Sequence, residues 1–234
     1  MTRQPLSDDA PPALVIVRPP AQTLDRGNAS GRATRERLIL LAERMFAERG
    51  IEGASLRAIG EAAGQRNKTA VQYHFGDRAA LVSAIYAYRS EQLDTRRTAS
   101  LEAHDESGEP DSPKLLLRIL VEPYVESIAD PDNYFLPFLA RLVIDVGGIA
   151  NESSLAAEPF MGAHNEIRRR IREADRYVSD DVFDLRYGLL ITFAITALAT
   201  HKRFGDASDS TRLTAVADEI VEMMAAGLAA PLLD

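Results

Sequence analysis

The sequence of 234 residues contains no cysteine and no tryptophan. Without cysteine there is no disulfide framework, thiol nucleophile or thiolate metal site, and a reducing cytoplasm is compatible with that absence. We expect no membrane span, because no apolar run approaches the roughly 18 to 20 residues that one needs. The N-terminus also lacks the basic flank and long apolar core of a secretory signal. The expected protein is therefore cytoplasmic, with no membrane partner.

The charge of the chain is unevenly distributed. Its net charge of −8 argues by itself against binding to nucleic acid. However, residues 32–100 hold twelve basic and eight acidic side chains, whereas residues 101–234 hold twelve basic and twenty-four acidic ones. A local basic excess beside an acidic body is the electrostatic pattern of a phosphate-binding module.

The stretch 55–82 predicts a helix, a tight turn and a second short helix, followed by the start of a third. Ser55 is a good N-cap for the first helix, and Gly64 lies where its C-terminus favours a residue that tolerates positive φ. Gly76 is expected to end the second helix and Asp77 to cap the third. The residue types and spacing are those of a helix-turn-helix.

The second helix of this motif is expected to begin with polar and basic residues: Gln65, Arg66, Asn67, Lys68 and Thr69. Its other face buries Ala70 or Val71, together with Phe75. A helix N-terminus of this composition, with its positive dipole end, is suited to phosphates and base edges.

A supporting helix is predicted before the motif, capped by Thr34 and ended by Gly50. The order of segments 34–50, 51–55, 56–64 and 71–81 resembles the TetR family of bacterial transcriptional regulators. The most specific part of the resemblance is Tyr73-His74-Phe75 followed by Gly76-Asp77.

Two classes of DNA contact are expected. The candidates for phosphate contacts are Ser55, Arg57, Arg66, Lys68, His74 and Arg78. The candidates for base edges are Thr69, Ala70, Gln72 and Tyr73, and Asn67 completes the DNA-binding set. Glutamine can pair with adenine, and alanine or threonine can contact a thymine methyl group. By position, the resemblance implies DNA contacts for Ser55, Lys68, Tyr73 and Arg78.

Three segments are expected along the chain: a disordered N-terminal tail (1–31), a helix-turn-helix domain (32–82) and a helical ligand-binding and dimerisation domain (83–234). The loop 105–113 is rich in glycine, proline, serine and acidic residues. Beyond it the sequence shows helical periods without strand alternation, including a long apolar helix from Asp180 to about Phe204. The predicted fold class is all-α, with a three-helix DNA-binding domain followed by a larger helical body.

Reading an inverted repeat in DNA requires a two-fold dimer, and the resemblance implies one built by four helices. The candidate dimer interface is Leu185, Leu189, Phe193, Ala197, Ile220, Met224 and Leu228. These side chains could instead fill the core of the monomer.

The resemblance also implies a response to a small molecule. An apolar pocket could be lined by Tyr124, Phe135, Phe138, Met161, His164, Phe183 and Tyr187, although each could equally be ordinary core. The expected function is a repressor that a small, largely apolar ligand releases from a palindromic double-stranded DNA operator. A ligand-independent DNA-binding scaffold is the alternative.

A remote enzyme alternative comes from Asp180, Asp181 and Asp184, which fit the DDxxD form that holds magnesium in all-helical isoprenoid synthases. Nearby arginines (168–170 and 172) could supply cations. No second acidic motif accompanies it, and aspartates at a helix N-terminus have an ordinary electrostatic explanation. We therefore expect no catalytic residues, no bound metal and no cofactor.

Overall fold

The computed structural model describes residues 29–65, 69–145, 161–174, 178–204 and 210–231, and every regular element in these ranges is a helix. The helices are α1 (Ala29–Arg49), α2 (Leu56–Ala62), α3 (Ala70–Phe75), α4 (Arg78–Ser107), α5 (Pro113–Ala129), α6 (Phe135–Asp145), α7 (Gly162–Ala174), α8 (Asp180–Phe204) and α9 (Ser210–Leu228). The predicted all-α fold class is confirmed.

The helix boundaries of the motif follow from local caps. Ser55 Oγ accepts a hydrogen bond from the backbone N–H of Ala58 at 3.1 Å, and Asp77 Oδ1 accepts one from Ala80 at 2.8 Å. Gly64 and Gly76 have φ of +71° and +87°, which side-chain-bearing residues rarely adopt. The predicted caps and glycine stops are therefore present.

Two predicted helix starts were wrong. Helix α1 begins at Ala29, five residues before Thr34. Helix α3 begins at Ala70, so Gln65 and Thr69 precede it. The backbone N–H of Gln65 donates to Gly60 O, while that of Gly64 donates to Glu61 O, both at 3.0 Å. This is the Schellman arrangement that ends a helix, so Gln65 belongs to the end of α2.

The helix-turn-helix unit and the body share the long helix α4. Helix α2 packs on α1 and α3, α1 and α3 both pack on α4, and α1 also packs along α6. Farther along, α4 packs on α5 and α7, while α5 lies against α6, α7, α8 and α9. At 30 residues, α4 is about 45 Å long. It therefore extends from the helix-turn-helix unit into the body.

One described helix, α8, is long and apolar enough to cross a membrane by length and composition. An 18-residue window within Asp180–Arg203 has a mean hydropathy of 1.6, so the expectation that no apolar run approaches this length was wrong. Within the fold, 39% of its apolar window is buried, and its exposed apolar side chains include Leu185 and Leu189. The apolar residues of α8 are thus shared between the core and one exposed face.

Candidate nucleic-acid interface

Helix α3 presents one polar face to solvent. Tyr73 is 84% exposed, and Thr69 and Gln72 are also exposed. Ala70, Val71 and Phe75 are buried on the opposite side. Expecting a base contact from Ala70 was therefore wrong, because a buried methyl group cannot reach a groove.

The other predicted contact residues flank α3. Ser55 uses its Oγ as an acceptor to cap α2, which leaves the hydroxyl proton able to donate. The Nε atom of Arg57 lies 2.8 Å from Glu61 Oε1 on the exposed surface of α2. Arg78 donates to the carbonyl of Ile51 and lies 3.5 Å from Glu52 Oε2. Arg66, Asn67 and Lys68 lie outside the described residues.

Arg35 is a residue of this region that the sequence reading missed. Its guanidinium carbon lies 4.5 Å from the ring centroid of Phe75, and its buried Nε has no hydrogen-bond partner. Burial, and then the nearby Arg35 cation, lower the pKa of His74 below its ordinary value. His74 is therefore neutral near pH 7, and any phosphate contact it makes would be a hydrogen bond without an ion pair. Only tertiary packing brings Arg35 next to α3.

A buried carboxylate joins α1 to the body. Arg89 of α4 donates to Glu43 through Nε at 2.6 Å and through Nη2 at 2.8 Å. The backbone N–H of Tyr134, directly before α6, donates to Glu43 Oε1 at 2.9 Å. Glu43 is fully buried, so this bridge fixes α1 relative to both α4 and α6.

Stacked rings continue the junction between α1 and α6. Phe138 lies 6.4 Å from Phe46 and 6.3 Å from Phe135, measured between ring centroids, and both pairs are stacked. Tyr86 of α4 packs against Phe135 at 6.2 Å. Two of the predicted ligand residues, Phe135 and Phe138, therefore lie at the junction between the DNA-reading unit and the body.

The remaining predicted ligand residues lie deeper in the body. Phe183 stacks on Tyr187 with ring centroids 5.8 Å apart, and His164 meets Tyr187 edge-on at 5.9 Å. The guanidinium of Arg97 lies over the Tyr124 ring, and Met161 Sδ is 4.0 Å from the Tyr86 hydroxyl. All seven predicted ligand residues are buried.

His164 is held neutral in this core. Burial lowers its pKa to about 3, helped by the charges of Arg97 and Arg168. Its Nε2 lies 3.3 Å from the Tyr187 hydroxyl, whereas its buried Nδ1 has no hydrogen-bond partner. Asp94 fixes the position of His164 by accepting its backbone N–H at 3.0 Å. His164 thus keeps one unpaired polar atom in an interior that also holds the buried side chains of Asp94 and Arg97.

The predicted dimer residues divide into two groups. Leu185 and Leu189 are 63% and 61% exposed, while Phe193 and Ala197 are half-buried. Ile220, Met224 and Leu228 are buried within the protomer, so their prediction as interface residues was wrong. These three side chains of α9 face α5 and α8, and Met223, at 54% exposure, lies on the outward face instead.

The aspartates of the DDxxD pattern already have cationic partners. Asp180 pairs with Arg172, and Asp184 pairs with Arg168. Among the described residues, no group of three or more histidine or carboxylate side chains is placed to hold a metal ion. These contacts support the explanation of the aspartates as helix N-terminal residues and leave the magnesium alternative without structural support.

Comparison with known proteins agrees with this geometry. The model of the family described as bacterial regulatory proteins, tetR family, matches residues 38–85. A search of curated proteins found no match.

Three solved structures share the fold at low sequence identity. A probable transcriptional regulatory protein, RHA5900, is 23% identical with a TM-score of 0.53, and the match covers 84% of this chain and 100% of that one. The TetR family regulator PfmR from Thermus thermophilus is 20% identical with a TM-score of 0.51, over 82% and 98% of the two chains. A putative TetR-family regulator from Mesorhizobium loti is 15% identical with a TM-score of 0.51, over 85% and 98%.

The matched family segment includes α2, α3 and the capped start of α4, which together form the helix-turn-helix. The all-helical body has the fold of the solved regulators over most of its length. Residues 38–85 therefore match the family of bacterial regulatory proteins, tetR family, and the chain as a whole shares the fold of solved transcriptional regulators.

Proposed function

We propose that this regulator is a repressor that binds a palindromic operator as a homodimer and leaves it when a small, largely apolar ligand binds the body. The observation that carries the proposal is the geometry of α3. Its exposed Thr69, Gln72 and Tyr73 face away from the core, while Val71 and Phe75 anchor the helix. A short helix held in this way can enter the major groove with its polar face towards the bases.

Base readout is assigned to Thr69, Gln72 and Tyr73, with Asn67 beside them in the sequence. Phosphate contacts are assigned to Ser55, Arg57, Arg66, Lys68 and Arg78, and a hydrogen bond to His74. The existing partners of Arg57 and Arg78 support a positioning role for both, because each guanidinium has further N–H groups that can meet a phosphate.

The dimer interface is assigned to the outward face of α8 and α9. Leu185, Leu189 and Met223 are large apolar side chains left exposed there, with half-buried Phe193 and Ala197 in line with them on α8. Contiguous exposed apolar surface is typical of protein–protein interfaces. A Leu185→Glu/Leu189→Glu double variant should sediment as a monomer, whereas Leu40→Glu, at a separate exposed leucine on α1, should not change the mass.

The effector site is assigned to the buried residues around His164. The unpaired Nδ1 of His164 supports this assignment, because a buried polar atom without a partner is costly unless something binds it. A mostly apolar ligand with one hydrogen-bonding group would satisfy it. Phe135 and Phe138 connect this region to α1, so a ligand that favours one arrangement of α6 would change the position of the DNA-reading unit.

Selection of bound fragments from a random DNA library with the full-length protein tests the proposal. Recovery of an inverted repeat with half-sites about one helical turn apart supports a dimeric operator-binding regulator. The recovered site then serves in a screen of small molecules for release. Recovery of non-palindromic sites would refute the dimeric mode, and binding that no ligand changes would favour a ligand-independent scaffold.

A further inference from the structure

A cavity of about 540 Å³ lies at the opposite end of the body from α3. It is open to solvent on one side and is bordered by the start of α5, the end of α7, the first turns of α8 and the end of α9. The lining residues are Pro113, Ile171, Ala174, Val178, Arg186, Ala225, Leu228, Ala229, Ala230 and Pro231. None of the seven residues assigned to the effector site is among them.

Among the described residues that line this cavity, Arg186 is the one with a charged side chain and the others are apolar. Arg186 is half-buried, and its guanidinium is held from one side by backbone carbonyls at the end of α9. Its Nη1 donates to Leu228 O at 2.8 Å and its Nη2 to Pro231 O at 3.2 Å. The last carbonyls of a helix lack intrahelical donors, so these bonds also cap α9.

Arg186 differs from the neighbouring arginines in the partners of its guanidinium group. Arg168 and Arg172 of α7 both pair with aspartates of α8. In the described part of the chain, Arg186 contacts carbonyl oxygens and no carboxylate. A half-buried guanidinium without a carboxylate partner can bind a planar anion, because its N–H groups match a carboxylate in geometry and charge.

We propose that this cavity is a second ligand site, which takes an amphipathic carboxylic acid. The apolar body of the ligand lies against Ile171, Ala225 and Leu228, and its carboxylate meets the N–H groups of Arg186 that the α9 carbonyls leave available. The volume lies within the range of about 300–1,000 Å³ typical of small-molecule sites. The proposal is independent of the effector site around His164, because it uses different residues at another end of the body.

Calorimetric titration of the full-length protein with decanoate, below its micelle concentration, and with decan-1-ol tests this assignment. The wild-type protein is expected to bind decanoate at least about tenfold more tightly than the alcohol, since only the acid forms a charge-assisted bond. Arg186→Gln should remove this preference. The control is Arg96→Gln, which removes the same charge from an exposed α4 residue paired with Glu126. This variant should retain the preference for decanoate over the alcohol.

A second pair of variants separates ligand binding from any loosening of α9 by Arg186→Gln. Ala225→Leu places a larger side chain on the wall against which the apolar part of the ligand lies, and it should weaken decanoate binding at least about tenfold. Ala99→Leu, on the exposed surface of α4, should leave decanoate binding unchanged. Operator binding in the absence of decanoate should be the same for Ala225→Leu and wild type. The proposal is overturned if the wild type shows no binding, if acid and alcohol bind equally, or if Arg186→Gln and Ala225→Leu bind decanoate as their controls do.

Discussion

Replacing Glu43 by glutamine should destabilise the whole protein, although Glu43 lies on none of the surfaces assigned to DNA. The carboxylate accepts two hydrogen bonds from Arg89 and one from the backbone of Tyr134, at 2.6 to 2.9 Å. Its side chain is 1% exposed and that of Arg89 is 11% exposed. The substitution keeps the shape of the side chain and removes its charge, so the buried Arg89 loses its carboxylate partner and keeps only neutral acceptors, the new amide oxygen and Gln92 Oε1 at 3.5 Å.

The expected loss is large because solvent cannot replace the missing charge. Removing one partner of a buried ion pair costs about 3–5 kcal/mol. We expect a loss near the lower value, because the amide oxygen of glutamine can still accept a hydrogen bond from Arg89. The matched control is Glu48→Gln, which removes a carboxylate from the same helix. Glu48 pairs with Arg44 at 2.8 Å with both side chains largely exposed, and such pairs contribute about 0.3–0.5 kcal/mol.

Urea unfolding followed by circular dichroism measures both variants. A double-mutant cycle with Arg89→Leu then isolates the coupling between Glu43 and Arg89, expected at about 1 kcal/mol or more. If Glu43→Gln and Glu48→Gln cost the same free energy of unfolding, the bridge does not hold α1 to the body. A movement of α6 would then not be transmitted to α1 through this bridge.

Three further predictions concern single residues. Gln72→Ala should change operator preference at one or two base pairs by about 1–3 kcal/mol if the contact is bidentate, as measured by library selection. A uniform loss of affinity over all sites would show that Gln72 contacts only phosphate. Gly76→Ala should destabilise the fold by about 1–3 kcal/mol because its φ of +87° is strained for alanine. Gly60→Ala, whose added methyl group would lie 3.6 Å from Val71, should cost nothing in the same unfolding assay. Between pH 7 and 5 the wild type should lose about 2 kcal/mol more stability than His164→Phe. The unfolded imidazole gains a proton below its pKa of 6.5 while the folded one, at about 3, stays neutral; equal pH profiles would contradict this.

The features that the sequence predicted well depend on local interactions. A cap such as Ser55 or Asp77 bonds to a backbone three residues away, and a positive φ at Gly64 or Gly76 is a property of one residue. Chain neighbours supply every partner in these interactions. The helix-turn-helix was therefore recognisable without knowledge of what packs around it.

The predictions that were wrong concern which face of a helix packs against the core. Periodicity placed Ile220, Met224 and Leu228 on one apolar stripe, and the stripe exists, but α5 and α8 cover it. Met223, one residue from Met224, is exposed instead. A period of 3.6 identifies a stripe without identifying its partner, so interface and core residues could not be separated from the sequence.

Contacts between distant segments could not be predicted from the sequence either, and they join α1 to the body. Glu43 and Tyr134 are 91 positions apart, yet the N–H of Tyr134 needs the buried carboxylate as its acceptor. Hydrogen bonds of this kind are either made or broken, and stacked rings such as Phe46 and Phe138 cannot slide smoothly past one another in a close-packed interior. A junction built from such contacts favours two discrete arrangements over gradual bending. Any ligand that displaces α6 must therefore break the bridge to α1 or carry α1 along with it.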